Sequence, residues 1–217
     1  MKIIQIHELS KKFGDNEVIK SVSLEFEAGK IYGLVGRNGS GKSVFLKCIA
    51  GLIIPTSGYI EVFGKRIGRD ADFAPNTGIA IEQPGVLIKK SAAETLRTLA
   101  SLTQKPQKKE ITRLIELVGL DPSEKKPVGM YSMGMKQRLS IAMAMLGDPQ
   151  LLLLDEPMSN LDHSAADDMR KLFARCALEG KTILIATHVR DDIEELCETV
   201  YEFSDGNISI KAHDAMG

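Results

Sequence analysis

Gly36-Arg37-Asn38-Gly39-Ser40-Gly41-Lys42-Ser43 constrains this chain more than any other stretch of it. The segment fits G-x-x-x-x-G-K-[ST], and its flanks decide what it means. Before it, Ile31-Tyr32-Gly33-Leu34-Val35 reads as a buried strand; after it, Lys42 to Ala50 reads as a helix stopped by Gly51. A strand, a glycine loop and a helix in that order make an anion site. The glycines let the backbone wrap around phosphates, and successive N–H groups and the helix N-terminus supply the donors. Gly36, Asn38, Gly39, Ser40, Gly41 and the N–H of Val44 are expected to line that cradle. Lys42 adds a point charge at the β- and γ-phosphates of ATP, and Ser43 ligates Mg²⁺.

The rest of the chain arranges itself around this unit. Up to Gln83 the pattern is mostly strands: Lys2 to Leu9, Val18 to Glu27, Lys30 to Val35, Tyr59 to Phe63 and Thr77 to Ile81. The period then becomes helical. Ser91-Ala92-Ala93-Glu94 is a capping box, and Ile111, Leu114, Ile115 and Val118 mark a second helix. A third helix, Met133 to Leu146, leads to strand Gln150 to Leu154. Helix His163 to Glu179, strand Thr182 to Ala186 and helix Asp191 to Glu198 then alternate as a parallel sheet with crossovers requires, and two short strands follow.

Composition narrows the class. With 28 basic against 29 acidic residues there is no excess of positive charge, so no direct nucleic-acid partner is expected. Cys48, Cys176 and Cys197 are scattered and lack metal or redox spacing, so they read as reduced core residues. The N-terminal stretch alternates like a strand and not like a secretory signal, and no apolar run approaches the ~20 residues of a membrane span. A cytoplasmic location is the expectation.

A second motif carries the chemistry. Leu151-Leu152-Leu153-Leu154-Asp155-Glu156 is an apolar strand that delivers two carboxylates to its C-terminal end, where open parallel sheets bind ligands. Asp155 is expected to hold Mg²⁺, and Glu156 to orient and deprotonate the attacking water. Read alone, the same pair caps the next helix equally well; the phosphate loop upstream favours the catalytic reading.

The order of these motifs with Tyr131-Ser132-Met133-Gly134-Met135-Lys136-Gln137-Arg138 and with Ile185-Ala186-Thr187-His188 resembles the nucleotide-binding subunit of ATP-binding cassette (ABC) transporters, over Phe13 to His188. The resemblance implies an α/β fold: a phosphate-loop NTPase core with a mostly parallel sheet, an N-terminal antiparallel β subdomain and an inserted α-helical subdomain. It divides a single domain, 1–217, into a nucleotide-binding lobe (1–83 and 147–217) and a helical lobe (84–146). It also implies site roles: Phe13 stacks on adenine, Gln83 couples Mg²⁺ to the membrane partner, and His188 touches the γ-phosphate. Ser132 and Gly134 meet the γ-phosphate held by the other subunit of a head-to-tail dimer, and Asp162 lies in the loop that crosses it. The dimer is a homodimer or a pairing with a paralogous ATPase subunit, attached to the inner face of the membrane through separate permease subunits. Those are expected to dock after Gln83 and along Ser91 to Gln104. Alone, each minor residue has a plainer reading: Phe13 as core, Gln83 as a turn, Ser132 as a helix cap, His188 as structural. His7, His163 and His213 receive no role.

The chain departs from the family pattern at Val44, which replaces a second hydroxyl, at Met133, which replaces a glycine, and at Met135, which replaces a glutamine. Tyr-Ser-x-Gly-Met signatures are similar to those of small bacterial exporter ATPases acting on bacitracin and lantibiotics. Two other readings compete. A soluble ABC ATPase working on nucleic acid or ribosomes uses the same engine, but the chain shows no coiled coil, no tandem cassette and no basic excess. A small-molecule kinase or GTPase leaves the signature segment and His188 unexplained.

Overall fold

The computed structural model describes residues 1–81, 88–103 and 108–211. Gln83, Gln104 and His213 lie outside them, as does the start of the expected docking segment. Ten strands, six helices and a short 3-10 turn are described. Strands β1 (Lys2–Phe13), β2 (Asn16–Glu27), β4 (Ser57–Val62) and β5 (Lys65–Arg66) form an antiparallel sheet in the order β2-β1-β4-β5. A second sheet runs β10-β9-β3-β8-β7-β6, from β3 (Ile31–Gly36), β6 (Thr77–Ala80), β7 (Leu151–Asp155), β8 (Thr182–Ala186), β9 (Thr199–Ser204) and β10 (Asn207–Lys211). All its pairings are parallel except the β9–β10 hairpin.

The parallel strands read as unbroken apolar runs because both faces are covered. Leu151 and Leu153 enter one core with α1 (Lys42–Ala50) and the antiparallel sheet, where Phe26 and Phe45 are fully buried. Leu152 and Leu154 enter the other, with α2 (Ala92–Thr103), α3 (Lys108–Leu117), α4 (Met133–Ala144) and α5 (His163–Leu178). Tyr32 and Leu34 against Ile31 and Val35 repeat the alternation on β3. The final helix, α6 (Arg190–Leu196), packs beside α5. Helix α4 crosses the sheet so closely that a Cβ on Gly78 of β6 would lie 1.8 Å from the Ala144 carbonyl oxygen.

Local rules explain most boundaries. Ser91 and Glu94 cap α2 reciprocally: the Ser91 N–H donates to Glu94 Oε2 at 2.8 Å and the Glu94 N–H to Ser91 Oγ at 3.3 Å. Those bonds from Ser91 hold the Glu94 carboxyl below its usual pKa. Ser132 caps α4 and Asp162 caps α5. The first strand runs to Phe13 and not to Leu9, because Gly14-Asp15 makes the hairpin turn and register shifts near Leu9 and Lys11 break the simple alternation. Helix α4 stops at Ala144, and α6 at Leu196 where Cys197 turns extended. All three cysteines are buried and none is in a disulfide; burial pushes the Cys48 thiol to about 11 and Cys197 to about 12.

Candidate active site

The loop after β3 takes a backbone that only glycine adopts freely. Gly36, Gly39 and Gly41 have φ of 148°, 80° and 104°. A Cβ on Gly41 would sit 2.9 Å from Val18 Cγ1, and one on Gly36 2.6 Å from the Phe203 carbonyl oxygen. Gly41 is the N-cap of α1 and brings no side-chain acceptor, so the first N–H groups of that helix stay open to a ligand. Lys42 is buried, and its ammonium donates to the carbonyls of Gly36 at 2.8 Å and Arg37 at 3.2 Å. It lies folded along the loop it serves.

Strand β7 ends at Asp155, and Glu156 follows with a left-handed φ of 47°. That conformation is held from several sides. The Glu156 N–H donates to the Ala186 carbonyl at 2.8 Å, while its own carbonyl accepts from Ser159 Oγ at 3.1 Å and Gln137 Nε2 at 3.3 Å. His188 Nδ1 lies 2.7 Å from Glu156 Oε1. The other carboxylate oxygen, Oε2, is buried without a protein partner.

A cavity of about 550 Å³ brings together Phe13, Asn38, Gly39, Ser40, Gly41, Lys42, Ser43, Val44, Asp155 and Glu156. Gly36 lines a second polar hollow behind the loop. Phe13 is 49 % exposed and flanked by the Lys11 ammonium, so it is a rim residue and not core. His188 is outside this lining and reaches the site through Glu156. Ser132, Gly134 and Asp162 stand apart, in a separate hollow of about 690 Å³ at the start of α4; among the described residues Asn160 alone lines both. The Asp162 carboxylate is engaged in capping, accepting from the Ala165 N–H at 2.9 Å. Val18, Gln137, Ser159 and Asn160 line the main cavity without having been expected there. The position of Gln137, five residues into the Ser132 segment and on the inward face of α4, was the available signal.

The lining suits a magnesium nucleotide. Ser40 Oγ and Glu156 Oε2 are buried polar atoms that lack a partner among the described residues, and both belong to residues of the cavity. Ser43 and Asp155 offer the hard oxygen donors that Mg²⁺ prefers.

The ABC transporter family profile matches residues 19–159. The chain belongs to the ABC transporter family. It is 38% identical over 208 residues to a bacitracin transport ATP-binding protein of Bacillus licheniformis, covering 95% of this chain and 68% of that one. It is 32% identical to a lantibiotic transport ATP-binding protein of Streptococcus pyogenes, covering 96% and 90%. An ATP-binding cassette solved as a dimer in a post-hydrolysis state with ADP and Pi shares the fold, with a TM-score of 0.85 at 21% identity over 96% of this chain and 98% of that one. An ATP-binding subunit of an ABC transporter matches with a TM-score of 0.84 at 25% identity, over 96% and 90%. This ABC protein is an ATPase, which sets the kinase and GTPase readings aside. Among the described residues, no helix is long and apolar enough to cross a membrane.

Proposed function

We propose that this chain hydrolyses Mg-ATP as one half of a head-to-tail dimer and powers an exporter through separate permease subunits at the inner face of the cell membrane. The observation that carries the reading is the separation of two half-sites. The phosphate loop, Asp155 and Glu156 share one cavity, while the N-terminus of α4, with Ser132 and Gly134, faces a different hollow. Each half is incomplete alone, and a second ATPase subunit, identical or paralogous, supplies the missing one. The bacitracin and lantibiotic transport relatives favour export of peptide antibiotics. In this reading residues 84–146 act as a helical lobe on a nucleotide-binding lobe of 1–83 and 147–217.

The residues divide the work. Phe13 stacks on the base, the loop N–H groups and Lys42 hold the phosphates, and Ser43 and Asp155 hold Mg²⁺, with Gln83 joining them. When bound, that ion offsets phosphate charge. Glu156 Oε1 is engaged by His188, which leaves Oε2 to take the proton of the attacking water. His188 Nε2 is the ring nitrogen left to contact the γ-phosphate.

Sedimentation velocity on Glu156→Gln tests the dimer. ATP, and not ADP, should drive monomer to dimer, because only a γ-phosphate reaches the opposite α4. Gly134→Asp should abolish this, but a Cβ there also meets the Asn160 carbonyl at 2.9 Å. Met133→Glu is the cleaner variant: a first-turn carboxylate suits the helix, yet repels a phosphate arriving from a partner. Dimers that persist in Met133→Glu would overturn the cross-subunit role.

A further inference from the structure

Behind His188 the chain buries three polar groups that the nucleotide site does not use. Thr187 is 0 % exposed, Asp192 of α6 1 % and Arg170 of α5 5 %. Arg170 Nη1 donates to Asp192 Oδ1 at 2.8 Å, and its remaining nitrogens meet Asp167 and Glu195. The bond from Arg170 pins one oxygen of the buried Asp192 carboxylate. Its second oxygen, Oδ2, accepts from Thr187 Oγ1 at 3.1 Å, and that same hydroxyl oxygen accepts from the Val189 N–H at 3.1 Å. One hydroxyl therefore ties down the residues on both sides of His188. The imidazole itself is 63 % exposed, so packing does not aim it; its direction comes from the backbone beneath it and from the contact with Glu156.

We propose, building on the roles given above to Glu156 and His188, that Thr187 and Asp192 are positioning residues for ATP hydrolysis, anchored by Arg170. They fix the turn that presents His188, and through His188 they hold Glu156 Oε1, so that Oε2 is the oxygen left for water. They touch neither nucleotide nor reacting atoms. Their effect should fall on turnover and spare ATP binding.

Steady-state ATPase kinetics of the full chain test this with Thr187→Val, which removes the hydroxyl at nearly constant shape. Turnover should fall about tenfold while the ATP KM stays within about twofold, and Thr187→Ser should restore it. In a His188→Ala background, adding Thr187→Val should cost less than about twofold more, because both changes cut the same path. Unchanged turnover in Thr187→Val, losses that multiply in the double variant, or a parallel loss of ATP affinity would each overturn the proposal. Should Thr187→Val not fold, Asp192→Asn is read by the same kinetic split and the same background. Wild-type turnover in Glu156→Gln or His188→Ala would instead overturn the catalytic reading on which the proposal stands.

Discussion

The phosphate loop and the Glu156 turn line one cavity, and both need left-handed backbone, yet they reach it with opposite residue choices. In the loop the positions are glycines, Gly39 and Gly41. After β7 the position is a glutamate at φ 47°, where a Cβ costs on the order of 1–2 kcal/mol. In the proposed site the loop works through backbone N–H groups, so no side chain is required there. The other wall must deliver a carboxylate, so strain is accepted and held by Ala186, Gln137, Ser159 and His188.

Four variants sharpen or break this contrast. Glu156→Gln keeps the shape but loses the base, and should lower turnover by about 10²–10⁴ with ATP binding intact. A fall of less than about tenfold would place the base elsewhere. Lys42→Ala should lower ATPase activity by about 10²–10³ and weaken ATP binding with it, read by nucleotide titration and turnover. Gly41→Ala asks whether the loop needs glycine: strain of about 1–3 kcal/mol and the clash with Val18 should weaken ATP binding by roughly 10- to 100-fold. The smallest effect is the most pointed. Glu156→Gly should destroy activity yet raise stability by about 1 kcal/mol, or a Tm increase of about 2–4 °C by calorimetry, because it relieves both the strain and the unpartnered Oε2. A lower Tm would show that the His188 contact outweighs the strain.

Sequence legibility follows the same divide. The loop could be read because its backbone demands glycine at fixed spacing, and the α2 cap because Ser91 and Glu94 are three residues apart. The strain at Glu156 has no such mark, since a glutamate after an apolar strand looks ordinary. Phe13 was expected at the base, but its strand was cut short at Leu9 because bulges erase the period of two. Val18 enters the cavity by packing on Gly41, and Gln137 by reaching the Glu156 carbonyl 19 residues away, contacts that no local pattern marks. The Thr187–Asp192–Arg170 network is equally silent, because Arg170 and Asp192 sit 22 residues apart on different helices.

The contact between Gly78 and Ala144 gives α4 a fulcrum. With the end of the helix seated against the bare backbone of β6, sliding would drive a carbonyl into a strand, whereas tilting leaves that contact in place. The lever from Ala144 to Met133 is about 17 Å long at 1.5 Å per residue, so each degree of tilt swings Ser132 by about 0.3 Å. Gln137 rides part-way along this lever and touches the Glu156 carbonyl. A swing of the helix tip therefore tugs, at shorter radius, on the turn that carries Glu156.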